Sequence, residues 1–254
     1  MPTLTVIILT KNEAAQIVPA IRNAQKCQGQ VLVVDSGSTD GTQQLAEQAD
    51  ARVVFRAWDD DFAAQRNFAL TQTDTDWVLY MDADERMDDK FVQAVQEIVK
   101  KNVLVQGAMV RTVVVFGHTY AHGIFAPDQA LRLFPRTQVT WVNKVHEHPE
   151  CACKKIILPG MVLHFTYKDW YQWVVKINDY TTIWAQDNFA RGKRATYGGS
   201  FGHAVYGFLR AYVLQAGFLD GWAGLSAAVQ HGYYTFLKYN KLVELQRTHR
   251  DGQD

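Results

Sequence analysis

Across the first hundred residues, short and almost uninterrupted apolar runs alternate with amphipathic stretches of helical period. Residues 4–9, 31–34, 53–55 and 77–81 read as strands, with residues 14–24 and 42–48 as helices between them. Strands covered on both faces show as continuous Val, Ile and Leu, and an intervening helix lets successive strands lie parallel. The rhythm therefore predicts an α/β domain whose ligand sits beyond the strand C-termini. Those ends are uniformly polar: Thr10-Lys11-Asn12-Glu13, Asp35-Ser36-Gly37-Ser38 and Asp82-Ala83-Asp84-Glu85.

Residues 103–105, 108–116, 130–134 and 156–165 read as further strands, separated by Gly and Pro, in a mixed continuation of the sheet. All six prolines lie at or before Pro159, so the remainder is free to form long helices. Composition changes there as well. Between Ala195 and Leu237 only Arg210 and Asp220 are charged, and nine of the 17 glycines fall between Gly192 and Gly232 among dense aromatics. Residues 1–168 are thus read as one domain, with a first half of about 1–100 and a second of about 101–168. Residues 169–254 form a helical, aromatic-rich region.

That region is flanked by Arg191, Lys193 and Arg194 on one side and Lys238, Lys241, Arg247 and Arg250 on the other. Such a pattern fits helices lying in a membrane interface, and equally an aromatic helical hairpin packed on the first domain or on a second copy in a homo-oligomer. No run reaches the roughly 18 apolar residues of a membrane span, and the opening residues read as a strand rather than a secretory leader. The expectation is a soluble or peripheral protein.

With 26 basic and 26 acidic residues the chain has no basic field to hold nucleic acid. Three cysteines make neither a disulfide framework nor a zinc site and point to a reducing compartment. There is no Gly-x-Gly-x-x-Gly, Walker loop, Gly-x-Ser-x-Gly or His-Glu-x-x-His.

Two carboxylates separated by a small residue at a strand end, Asp82-Ala83-Asp84, can hold a divalent cation whose other positions go to water and a diphosphate. The surroundings favour it, because fourteen acidic and four basic residues lie between Asp35 and Asp89. Asp35-Ser36-Gly37-Ser38-Thr39-Asp40 also reads as a turn with helix-capping residues.

Taken together, Thr5 to Glu13, Val33 to Thr42, Gln65-Arg66-Asn67 and Asp82 to Glu85 resemble the family-two glycosyltransferases of GT-A fold, a nucleotide-diphospho-sugar transferase architecture with a mixed, mainly parallel central sheet. The resemblance implies that Thr10, Asn12 and Glu13 line the nucleotide pocket, that Asp35 meets the uracil and that Arg66 approaches it. Asp82 then faces the ribose and Asp84 holds Mg²⁺ or Mn²⁺, with His164 completing the metal shell. Arg132 resembles an arginine that pairs with diphosphate or an acceptor phosphate.

An inverting transfer needs a carboxylate that takes the proton of the attacking hydroxyl, and Glu147 in Val145-His146-Glu147 is the candidate. The Val-His-Glu run is similar to an acceptor-side motif of a subgroup of the family, with His146 as an acceptor contact. Residues 208–224 and 233–242 are similar to the C-terminal part of lipopolysaccharide core β-1,4-glucosyltransferases. The implied activity is transfer of glucose from UDP-glucose to a heptose of the lipopolysaccharide inner core, peripherally at the cytoplasmic face of the inner membrane. The alternatives are another UDP-sugar or acceptor on the same fold (capsule, lipid-linked or protein), or a non-catalytic nucleotide-sugar-binding scaffold. A nucleotidyltransferase would need a Gly-rich basic loop that residues 9–13 lack.

Overall fold

The computed structural model describes residues 1–144 and 147–251. They form two compact units, the first made of residues 1–111 and 128–164 and the second of 112–127 with the chain from residue 165 onward.

In the first unit β1 (Leu4–Thr10), β2 (Gln30–Asp35), β3 (Arg52–Phe55) and β4 (Trp77–Asp82) are parallel, in the order β3-β2-β1-β4. Side chains alternate across the sheet. Val6 and Ile8 pack with α1 (Ala14–Gln25) and α4 (Asp89–Lys101) through Ile17, Ile21, Phe91 and Val95. Ile7, Leu32, Val78 and Tyr80 pack with α3 (Phe62–Thr71) through Ala63 and Ala69. Both faces are covered, which is why these strands carry no polar alternation. Register sets Thr10 opposite Asp35 and Leu9 opposite Asp82, so the polar strand ends emerge along one edge.

The helices begin and end for local reasons. Asp61 caps α3 by accepting from the Ala64 amide at 2.8 Å, and Asp88 caps α4 by accepting from Phe91 at 2.7 Å. Asn102 closes α4 in the left-handed region at φ 50°. α2 (Thr42–Gln48) follows Gly41 at φ 88°, and Asp40, one residue ahead of that cap position, accepts from the Thr42 amide at 3.1 Å. Ser38 and Thr39 bond to the neighbouring segment instead.

Beyond the acidic turn a short β5 (Glu85–Met87) follows, and the sheet continues past β4 with β8 (Asp128–Pro135), β6 (Val105–Val115) and β12 (Val162–Tyr167) before returning to β5. β11 (Lys154–Ile157) lies parallel on β6. β9 (Thr140–Val142) and β10 (His148–Glu150) make a separate antiparallel pair.

Two expected boundaries differ. The runs 103–105 and 108–116 are one strand, because Gly107 sits at a bulge where a Cβ would come within 2.9 Å of Leu158 and 3.0 Å of Leu133. Glycine there marks close packing, not a break. The run 156–165 is instead two strands, divided at Gly160. Its φ is 94°, and a Cβ would stand 2.3 Å from the Phe91 nitrogen.

In the second unit the short β7 (His118–Thr119) folds back on the end of β6. α5 (Trp170–Ala190), α6 (Tyr197–Leu209), a π-helical turn (Arg210–Leu214), a 3₁₀ turn (Gly217–Asp220) and α7 (Gly221–Asp251) follow. Trp173, Ile177, Tyr120 and Ala227 form its core. Small residues let α6 and α7 approach, since a Cβ on Gly207 would meet Thr235 at 3.1 Å and one on Gly232 would meet the Ala204 carbonyl at 3.3 Å. Lys241 ties α7 to α5, donating to the Asn178 carbonyl, Asn178 Oδ1, Thr181 and Thr182 at 2.6 to 3.0 Å. Among the described residues no helix is long and apolar enough to cross a membrane.

Candidate active site

The end of β1 is stitched to the loop after β2. Asn12, at φ 57°, donates its amide to Ser38 Oγ at 2.8 Å and accepts from the Thr39 amide at 2.9 Å. The amides of Glu13 and Ala14 donate to Thr42 Oγ1 and Asp40 Oδ2 at 2.9 and 3.0 Å. Asp35 is fully buried. Its Oδ1 accepts from the amides of Gly37 and Ser38 at 2.9 Å each and from Gln43 at 2.5 Å, while Ser38 Oγ donates to Oδ2. Burial works to raise its pKa, but these donors outweigh it and hold the carboxyl below the usual range. The Asp35 carboxylate is therefore committed to its own turn.

α3 presents Gln65-Arg66-Asn67 toward this edge. Gln65 ties down the chain after β3 by donating to the Arg56 carbonyl at 3.1 Å. Asn67 clamps the main chain of Trp141, donating to its carbonyl at 2.7 Å and accepting from its amide at 2.9 Å. Between them, the buried Arg66 guanidinium lies 4.5 Å from the Trp141 ring centroid and 5.3 Å from that of Tyr80. Its Nη2 stands 3.7 Å from Asp82 Oδ1 and 3.8 Å from Glu147 Oε1. One guanidinium thus faces a carboxylate from the end of β4 and another from the segment between β9 and β10.

Asp82 also accepts from Arg132 Nη2 at 3.2 Å. Burial opposes its ionisation, yet Arg132 and Arg66 keep its carboxyl below the ordinary range. Asp84 Oδ2 lies 3.1 Å from His164 Nε2, which antiparallel pairing brings opposite Glu85. Burial tends to lower the His164 pKa, and the bond to Asp84 with the charges of Asp84 and Glu85 more than reverses this. Glu85 is completely buried, accepts from the Asp82 amide at 2.9 Å and lies 3.7 Å from Arg111. Burial, then the Asp82 charge, push its carboxyl up to about 7.

The sequence-predicted residues fall into two groups. Arg66, Asp82, Arg132 and Glu147 form one charged cluster, with Asp84 and His164 paired beside it. Thr10, Asn12, Glu13 and Asp35 belong to the strand-end network, with Thr10 Oγ1 buried and unbonded. His146 lies outside the described residues. Sequence reasoning missed Glu85, Arg111 and the Asn67 clamp. Glu85 was visible as the last residue of the acidic run, but nothing in a sequence announces its burial.

Six buried side-chain polar atoms without a hydrogen-bond partner gather here: Thr10 Oγ1, Gln65 Oε1, Arg66 Nε, Glu85 Oε1, Arg132 Nε and Trp141 Nε1. Folding normally satisfies such atoms, and their concentration singles this edge out as the candidate site. Asp84 Oδ2 and His164 Nε2, 3.1 Å apart, are an oxygen and a nitrogen donor of the kinds a divalent cation takes. Among the described residues no three His, Cys, Asp or Glu side chains form a ready cage, so water and diphosphate oxygens would complete the coordination.

The sheet, with its acidic turn at the carboxyl ends of the parallel strands, is a GT-A nucleotide-diphospho-sugar transferase fold carrying a helical C-terminal region. The chain belongs to glycosyl transferase family 2, whose model matches residues 5–154. The lipopolysaccharide core biosynthesis glycosyltransferase LpsC of Rhizobium meliloti (strain 1021) is 30% identical over 252 residues, covering 95% of this chain and 92% of its own. An uncharacterized glycosyltransferase of Rickettsia typhi is 25% identical over 264 residues, covering 99% and 90%. Among solved structures, glucosyl-3-phosphoglycerate synthase from Mycobacterium tuberculosis with Mn²⁺, UDP and phosphoglyceric acid is 24% identical with a TM-score of 0.37. The match covers 46% of this chain and 44% of that one, less than half of either.

Proposed function

We propose that the chain is a metal-dependent inverting hexosyltransferase that moves glucose from UDP-glucose to a heptose of the lipopolysaccharide inner core at the cytoplasmic membrane face. The observation that carries this reading is the Arg66 guanidinium, whose Nη2 lies 3.7 Å from Asp82 and 3.8 Å from Glu147 and so brings a second carboxylate to the Asp-x-Asp end of β4. A carboxylate there is what deprotonation of an attacking hydroxyl requires. The likeness to LpsC across nearly the whole chain supports the choice of acceptor class.

Glu147 would take the proton of the acceptor hydroxyl, while Arg66 orients its carboxylate and Arg132 offsets negative charge on the diphosphate. Asp84 and His164 would hold Mg²⁺ or Mn²⁺, which supplies Lewis-acid stabilisation of the leaving UDP. Thr10, Asn12, Glu13 and Asp35 shape the nucleotide pocket, and His146 adds an acceptor contact. An α-linked donor then gives a β-glycoside.

The test has two arms. UDP should raise the melting temperature only with Mn²⁺ or Mg²⁺ present, and Asp84→Ala should abolish the shift. Glu147→Gln should keep that shift and lose transfer of labelled glucose to a heptose-terminated core oligosaccharide. Near-normal turnover in Glu147→Gln would overturn the assigned base, and absence of any UDP shift would overturn the donor site.

A further inference from the structure

The helical unit holds a group of cations that sugar transfer does not use. The Nζ atoms of Lys193 and Lys238 lie 4.8 and 4.9 Å from the Trp184 ring centroid, and 5.3 and 5.6 Å from that of Tyr239. His203 stacks on Tyr239 at 4.2 Å, and the Arg194 guanidinium lies 5.0 Å from the Phe189 ring. Among the described residues no carboxylate pairs with Lys193, Arg194 or Lys238. Burial, with the neighbouring Lys193 charge, lowers the Lys238 pKa, as expected for like charges gathered without a counterion. Aromatic faces hold these side chains while their N–H donors stay available to an anion.

Lys193, Arg194, Thr196, His203 and Tyr239 line a cavity of about 310 Å³. From its rim α6 carries Tyr197, Phe201, Val205 and Leu209 at four-residue spacing, 56%, 64%, 43% and 47% exposed. Four-residue spacing puts them on one helix face. The unit as a whole has ten basic residues against seven acidic, leaving sixteen against nineteen in the first unit.

We propose that the Lys193–Arg194 cavity binds the phosphate of an anionic membrane lipid, with the apolar face of α6 entering the lipid interface beside it. A soluble phosphate needs the cations alone, whereas a lipid phosphate also uses a contiguous apolar face, and α6 supplies that face beside the cations. The inference deepens the membrane part of the proposed function and rests on that part alone.

The experiment is cosedimentation of the full chain with vesicles of phosphatidylcholine, with and without phosphatidylglycerol. The wild type should prefer the anionic vesicles, and Lys193→Gln with Arg194→Gln should weaken that binding about thirtyfold, at roughly 1 kcal/mol for each of the two cations lost near the surface. Binding to neutral vesicles should not change, and the melting temperature should fall only by what the lost cation–π contacts supply. Lys193→Arg should retain the preference, separating lost charge from repacking. Equal binding to both vesicle types, or a full preference in the double variant, overturns the proposal. So does thermal stabilisation by inorganic phosphate without any vesicle preference, which would make the ligand a soluble phosphate ester. The metal-dependent UDP shift should survive in the double variant, and its absence from the wild type counts against the transferase reading only.

Discussion

Arg66 is the residue on which the charged cluster turns. It is buried, and both Asp82 and Glu147 face it. Removing one member of a buried ionic group leaves the others uncompensated, so Arg66→Ala should cost about 3–5 kcal/mol in urea unfolding. A loss below about 1 kcal/mol would show that the carboxylates do not depend on it. Asp35 makes a different prediction. Its carboxyl is lowered in the folded state, so the stability it contributes is full above its unfolded pKa and is lost as pH falls through the folded value. Asp35→Asn should therefore flatten the acid limb of stability below about pH 4. It should also cost roughly 1–3 kcal/mol at neutral pH, because an amide NH₂ cannot accept from the donors now facing that carboxylate. Acid unfolding curves that superimpose with wild type would refute this. Asp82 and Asp84 stood out in the sequence as strand-end carboxylates and Glu147 as a candidate base, whereas His164 was singled out only by the family resemblance; the structure sets it 3.1 Å from Asp84. Glu85 and Arg111 were not, since their significance lies in complete burial of one and its 3.7 Å approach to the other.

At the scale of elements, α3 and β9 act as one piece. Asn67 takes both polar groups of Trp141, six residues before Glu147. Asn67→Ala should cut transfer at least about tenfold while UDP affinity stays near wild type, because the lost order lies on the acceptor side. A fall in UDP affinity with unchanged turnover would place its effect elsewhere. The turn at Gly160 sets where β12 starts, and with it His164. Gly160→Ala should destabilise by about 2 kcal/mol or more, from the positive φ and from the Phe91 backbone that a Cβ would strike. Equal denaturant midpoints for the variant and wild type would contradict that. The first four strands and α1 and α2 could be read from periodicity to within a residue or two. β5, β9 and β10 could not, because three residues are too few to show a period, and Gly107 misled because a bulge glycine and a breaker glycine look alike in sequence.

For the whole molecule, a net charge of zero conceals segregation into a first unit with acidic excess and a second with basic excess. The helical unit also leaves Phe201, Leu214 and Trp222 at 64%, 71% and 81% exposure. Phe201→Ser with Leu209→Ser should shift stability by no more than about 0.5 kcal/mol, as surface changes do, yet reduce cosedimentation with neutral and anionic vesicles alike. Unchanged binding to both would mean that this face of α6 does not enter lipid. The strand-end network carries a kinetic consequence. Residues 12–14 are fastened by Ser38, Asp40 and Thr42, and Thr39 donates back to Asn12. The proposed nucleotide would meet a rim held by its own hydrogen bonds, so capture should follow solvent viscosity and show no lag from a slower rearrangement of the pocket.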